Sequence, residues 1–253
     1  MNKQSQLAQN ERDYLSQHFG LCEYDGTRSV GSVRALDLLD MEMCSDYLDR
    51  LTVILQSPSR MVTASQFFKR YAFLTTAPLL YAMTVYNKGL NLSARNCILG
   101  SSLGHSWLEH VSLADSDAAM PEASERHVWR NTVMQALFAE NLGKLVAVMS
   151  RAANVPKPIL WENVAVRIFS LYEKRIGLTG EQQEQSRARA DFQYVIHQAP
   201  GVLFGEKQNP LSRFYVEPTC SSVSNTPMRV RKTCCFYYEV TSDKEYCTNC
   251  PKL

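Results

Sequence analysis

Four cysteines crowd into the last twenty residues, at 234, 235, 247 and 250, in the pattern C-C-x11-C-x2-C. A chain that ends this way either gathers four soft thiolate ligands around a metal or leaves four reactive thiols exposed to oxidation. The segment between the two groups is long enough to double back. Its turn-forming residues, Thr241-Ser242-Asp243-Lys244, predict a hairpin that returns Cys247 to the vicinal pair. A single zinc would need all four thiolates at the corners of one tetrahedron. Adjacent residues strain that arrangement, because consecutive side chains of an extended strand point to opposite faces. A two-iron diamond spreads its ligands over a longer span and accepts a vicinal pair more easily. From the residues alone three readings stay open: an iron–sulfur centre, structural zinc, and disulfides or unligated thiols.

Composition narrows the setting. The 253 residues are 45% hydrophobic and 21% charged, which excludes a disordered or fibrous chain. With 27 basic against 25 acidic residues, no bulk charge suits a nucleic-acid partner, and none is expected. The polar opening Met1-Asn2-Lys3-Gln4-Ser5-Gln6 lacks the apolar core of a secretory signal, so the expected compartment is the reducing cytoplasm, which disfavours disulfides. The longest apolar run, Tyr71 to Tyr86, is broken by Thr75, Thr76 and Pro78 and falls short of a bilayer span. Loose association at the inner membrane is left open. Gly100 and Gly104 alone make no nucleotide-binding loop. Electrons for any redox centre are therefore expected from an external donor of ferredoxin, flavodoxin or flavin-reductase type.

The pattern along the chain predicts an α+β protein that is mostly helical. Leu7 to Phe19 reads as a helix ended by Gly20, and Val33 to Leu55 as a second, with Leu36, Leu39, Met43, Tyr47, Leu51 and Ile54 on one face. Ser65 to Ala77 and Leu79 to Tyr86 are expected to be divided at Pro78. Leu90 to Ala94 and Ser106 to Leu113 predict two short strands around a turn at Ser101 to Gly104, in a small antiparallel region near 90–113, and Asp115 to Pro121 reads as a loop. Helices resume from Ser124 to Ala153, then from Pro158 through Tyr172, then from Glu181 to Gln198, with Gly177 to Gly180 between the last two. After Gly205 the composition turns to Pro, Asn and β-favouring residues. The expected division is a helical body, 1–205, which would bind substrate, and a C-terminal metal-binding subdomain, 206–253.

The run Cys234-Cys235-Phe236-Tyr237-Tyr238, closed by Cys247-Thr248-Asn249-Cys250-Pro251, resembles the C-terminal signature of FhuF-like ferric-siderophore reductases, two adjacent cysteines, about ten residues, then C-x2-C and Pro. The stretch Leu160-Trp161-Glu162-Asn163-Val164-Ala165 is similar to one found in these proteins. The spacing here is longer than the expected ten by one residue, an insertion that a turn absorbs. The resemblance implies that Cys234, Cys235, Cys247 and Cys250 bind one [2Fe–2S] cluster. It also implies one-electron reduction of siderophore-bound Fe³⁺ to Fe²⁺, releasing iron in the cytoplasm. Hard oxygen ligands hold Fe³⁺ well and the softer Fe²⁺ poorly, so one electron loosens the metal.

Around the motif, Arg229, Arg231 and Lys232 are candidates to offset the charge of such a cluster or to attract a chelate; the alternative is a solvated basic strand. Tyr237, Tyr238 and Tyr246 would shield the centre or stack on a bulky siderophore, against simple packing across a hairpin. Cys220 reads as a spare thiol, Cys22, Cys44 and Cys97 as buried fillers, and Trp161 as core. The histidines 18, 105, 110, 127 and 197 lack the spacing of metal ligands. The rival to a reductase is non-enzymatic: an iron–sulfur sensor or a zinc-stabilised binding protein.

Overall fold

The structure, a computed structural model, describes residues 3–26, 32–100, 107–122, 124–176, 181–221 and 224–253, the side chains of 219–226 excepted. Seven α-helices run α1 (Gln9–Phe19), α2 (Met41–Ile54), α3 (Arg60–Tyr81), α4 (Arg126–Leu137), α5 (Gly143–Ala152), α6 (Lys157–Leu171) and α7 (Gln182–Gln193) among the described residues. Wider, π-type turns continue α3 at Ala82–Tyr86, join α4 to α5 at Phe138–Leu142, and extend α6 and α7 at Tyr172–Ile176 and Tyr194–Gln198. The centre of the molecule is α3 packed along α6, with α2 and α5 against them. Phe67, Phe68, Tyr71, Leu74, Leu160, Val164 and Ile168 are almost wholly enclosed there.

Local chemistry sets most helix ends. The Asp40 carboxylate accepts the amides of Glu42 and Met43, and the Ser59 hydroxyl accepts that of Val62. Gly20 closes α1 in the left-handed region, at φ 67°; a side chain at that position would also meet the Glu109 carbonyl and Leu74. The second helix thus begins at the Asp40 cap and not at Val33. Leu36 and Leu39 share its apolar spacing, yet they precede the cap, around a single 3-10 turn.

Pro78 lies inside α3 and does not divide it. A proline within a helix costs about 3 kcal/mol. Burial of every residue from Leu74 to Leu80 outweighs it. The Thr75 and Thr76 hydroxyls also donate back to the Tyr71 and Ala72 carbonyls on the preceding turn.

The small sheets use more of the chain than periodicity suggests. Their strands are β1 (Lys3–Ser5), β2 (Leu21–Glu23), β3 (Val33–Arg34), β4 (Gly89–Leu90), β5 (Cys97–Gly100), β6 (His110–Leu113) and β7 (Ala118–Met120). One sheet has the order β1-β7-β4, the other β2-β6-β5-β3. β5 and β6 are antiparallel, but β2 lies parallel to β6, so the second sheet is mixed. Of the expected strand Leu90 to Ala94 only Leu90 is β. Asn91 instead starts a turn in which its side chain accepts the Ser93 amide. The expected loop at 115–121 contains β7, held between two partners. The turn at 101–104, His105, Ser106 and Gly177 to Gly180 lie outside the described residues. A last antiparallel pair, β8 (Thr219–Ser221) with β9 (Ser224–Met228), leads into the cysteine segment.

Among the described residues no helix is long and apolar enough to cross a membrane. Cys44 and Cys97 are wholly enclosed, as fillers should be, whereas Cys22 is half-exposed beside the Ser16 hydroxyl. Trp161 belongs to the core, its indole N–H donating to Glu206.

Candidate metal centre

The cysteine segment lies on α3 and α6, which supply its seat. Glu162, 1% exposed, points its carboxylate at the entering chain and accepts the amides of Lys232 (2.6 Å) and Thr233 (2.7 Å) and the Thr233 hydroxyl. Its neighbour Asn163 accepts from the Arg231 guanidinium at 2.7 Å and donates to the carbonyl and hydroxyl of Ser65 on α3. Arg231 is itself enclosed, within 3.7 Å of Glu162, and its amide donates to the Asn249 carbonyl. One buried knot therefore ties α3, α6 and both ends of the cysteine segment together. Arg231 is no part of a solvated strand; its charge is matched and its donors are placed.

The two cysteine groups meet across this seat. The Cys235 carbonyl accepts from the Ser65 hydroxyl (2.9 Å) and the Gln66 amide (2.6 Å), which fixes the backbone at the vicinal pair. Phe236 then turns in the left-handed region, at φ 60°, and its amide approaches the Cys234 sulfur at 3.4 Å. The chain reverses at Thr241 to Lys244, as the turn residues predict. The ladder of a hairpin does not form among the described residues. Tyr237–Glu239 is a 3-10 turn, and the left-handed Phe236 before it breaks the extended geometry. The C-x2-C loop closes with the Cys250 amide on the Cys247 carbonyl.

Cys235 and Cys247 place their sulfurs 3.7 Å apart. That is far beyond a disulfide bond of about 2.05 Å. It matches the separation, about 3.8 Å, that two thiolates adopt on one tetrahedral metal at roughly 2.3 Å each. Cys250 lies within electrostatic reach of both Cys234 and Cys247, so all four thiols share one neighbourhood. A close pair with two further thiols nearby is a donor set that fits a thiolate-bound metal centre.

The electrostatics are uneven. The shared proton between Cys235 and Cys247, together with Arg231 and Lys69, pulls the Cys235 thiol well below its usual range, while Cys247 is pushed up in return. Burial presses the Lys69 ammonium toward neutrality and the two thiolates oppose it; its Nζ rests 3.6 Å above the Tyr237 ring. Arg167, one turn beyond Asn163 on α6, donates to the Lys69 carbonyl and also feels Cys235. The outer side of the segment is different. Cys234 is pushed up by burial and by its neighbouring thiols, and the cation that relieves it is the exposed Lys252.

Arg229 donates to the Val216 carbonyl, pairs with Glu173 at 2.9 Å and stands over Tyr215. Lys232 is exposed, its amide engaged by Glu162. Tyr238 stacks on Tyr246 at 5.0 Å and accepts from Lys252. Cys220 lies on β8, its side chain outside those described. Beside the thiols a groove of about 550 Å³ runs between α6 and the entering chain, with Lys69, Arg167, Tyr237 and Cys247 in its wall. Lys69, Arg167 and the Ser65–Gln66 pair carry no motif. The one available signal is the presence of polar and charged residues in the otherwise apolar α3 and α6.

Residues 65–220 match the family described as ferric iron reductase FhuF-like transporter, and residues 231–252 match the FhuF 2Fe–2S C-terminal domain. The cysteine segment is therefore a [2Fe–2S] domain. No curated protein matches the chain. Among solved structures it is similar to the aerobactin synthetase IucA from a hypervirulent pathotype of Klebsiella pneumoniae, at TM-score 0.55 and 13% identity, covering 80% of this chain and 46% of that one. The ATP-bound form of IucA follows at TM-score 0.51 and 16% identity, covering 71% and 36%. The chain spans less than half of these synthetases, and the likeness shows a shared fold.

Proposed function

This chain belongs to the FhuF family, and on that premise we propose that it is a ferric-siderophore reductase acting in the cytoplasm. In this reading Cys234, Cys235, Cys247 and Cys250 are the ligands, 206–253 is the redox subdomain and 1–205 the body that carries it. When bound, a [2Fe–2S] cluster supplies one electron to chelated Fe³⁺, giving Fe²⁺, and an external donor of ferredoxin, flavodoxin or flavin-reductase type restores it.

The observation that carries the reading is the seat. Glu162, Asn163 and Arg231 hold the cysteine segment against α3 and α6, and Cys247 opens onto a groove of about 550 Å³, a size suited to a small chelate. The residues have separable tasks. Amides at Phe236 and Tyr237 direct N–H groups at the Cys234 and Cys235 sulfurs, which favours their charged forms. Lys69 and Arg231 offset negative charge on the inner pair. Tyr237 walls the groove, while Tyr238 with Tyr246 covers the outer side. Arg229 and Arg231 hold the segment in place, leaving Lys232 as the solvent-facing cation of that strand. No acid–base residue is needed, because ferric iron gains an electron and its oxygen ligands release the softer ion.

The test is dithionite-reduced protein, freed of excess reductant, mixed with a ferric tris-hydroxamate and a coloured ferrous trap. The reading predicts close to one Fe²⁺ trapped per reduced centre. Cys250→Ser should abolish the transfer with the helical circular dichroism intact. Full activity in that variant would sink the ligand assignment, and no transfer by the intact protein would leave a sensor.

A further inference from the structure

We propose that the groove beside Cys247 is the chelate-docking site and that it selects ferric chelates of net negative charge. The inference rests on the reductase reading for the identity of the metal, and on the groove itself for the charge. Five cations stand in its wall, Lys69, Arg167, Lys174, Arg229 and Arg231, against two carboxylates, Glu162 and Glu173. Both carboxylates are taken: Arg231 lies beside Glu162, and Arg229 pairs with Glu173. Three cations are left without a carboxylate at ion-pair distance among the described residues. Lys69 rests on the face of Tyr237, and Arg167 uses its Nε on the Lys69 carbonyl.

Part of this surplus faces the thiolates, since Lys69 and Arg167 both feel Cys235. Lys174 does not fit that explanation. It is exposed, on the turn that extends α6, and stands in the groove wall on the solvent side. A cluster needs no counter-ion there, whereas an anion entering from solvent meets Lys174 at the mouth and Lys69 and Arg167 within. A concave site focuses such a field far beyond what the chain's formal charge of +2 suggests. Of the four tail cysteines, Cys247 is the one in the wall, so a docked chelate lies against the inner Cys235–Cys247 pair.

The experiment uses redox-inert gallium(III) chelates and the cluster-loaded full chain under nitrogen, at low salt. A gallium tris-catecholate of charge −3 is compared by calorimetry with a gallium tris-hydroxamate that bears a pendant ammonium and so carries charge +1. The groove predicts at least tenfold tighter binding of the trianion, weakened by 0.5 M salt. Lys174→Glu should weaken it a further five- to tenfold without altering the visible spectrum, and Lys174→Arg should restore it. Equal affinities, a preference for the cation, or indifference to Lys174→Glu would overturn the proposal. If no gallium chelate binds while ferric chelates are still reduced, the groove is overturned and the reductase reading stands. If the charge order holds but no Fe²⁺ is formed, the groove is upheld and the reductase reading falls.

Discussion

Among the described residues two carboxylates are buried, and they do opposite jobs. Asp191, on α7, is fully enclosed and accepts from Arg126 at 2.7 Å and Arg130 at 3.1 Å on α4, with the Thr84 hydroxyl closing the set. Thr84 also meets Tyr172, so the π-type turns after α3 and α6 converge on this point. Charge there is matched side chain to side chain, between helices that already share a core. Glu162 holds backbone instead: two successive amides of an irregular segment with little core of its own, steadied by one arginine. The first knot fastens a body that packs by itself. The second fastens an irregular segment that the Ser65 and Gln66 bonds to the Cys235 carbonyl also hold.

The contrast can be broken from either end. Asp191→Ala leaves two arginines without their partner and should cost about 3 kcal/mol or more. Urea unfolding followed by far-ultraviolet dichroism should move to lower denaturant, with helix and chromophore lost together; a chromophore lost alone would contradict the division. Glu162→Gln is expected to cost about 2 kcal/mol, mostly locally, because the carboxamide keeps an acceptor for only one of the two amides, turns an NH2 toward the other, and takes the counter-charge from Arg231. Iron retained after a chelator challenge should fall several-fold while the helical signal is unchanged. Retention equal to the parent would mean that Glu162 is not part of the seat.

Smaller effects sharpen the comparison. Lys69→Met removes a cation from the inner thiol pair and should lower the reduction potential by on the order of 50 mV, a Coulomb effect of about 1 kcal/mol. Lys252→Met, on the exposed outer side, should move it much less. In the metal-free protein the two enclosed thiols of the helical body should be inert. Burial pushes Cys44 up to about 11 and Cys97 up to about 12. At pH 8 iodoacetamide should therefore spare both, as mass spectrometry can show. The sign follows for stability as well. Each raised thiol contributes fully below its unfolded value of about 8.5 and loses that contribution as pH climbs through the folded one.

Helices with a single strong signal were legible. Gly20 ends α1, and Pro156 with Pro158 separates α5 from α6 as the residues suggest. Legibility failed where a polar cap or burial overruled periodicity, at Asp40 and Pro78, and where strands of two to four residues depend on distant partners. The same holds at the metal centre. Cysteine spacing points to the four thiols that the structure brings into one neighbourhood, and the stretch around Glu162 and Asn163 resembles a family feature. That Asn163 would meet Ser65, 98 residues earlier, is a product of α3 packing on α6 and has no local trace. Lys69 and Arg167 join the site by that packing alone. The overall charge of +2 also concealed the groove, since charge is summed along a chain but felt in space.

The most direct test of the centre is the metal content and electron paramagnetic resonance of protein purified without oxygen, before and after dithionite. The account predicts two irons and two inorganic sulfides per chain, with visible bands that bleach on reduction and an S = 1/2 signal that appears with it. A colourless protein holding about one zinc per chain, and unchanged by reconstitution with iron and sulfide, would contradict it.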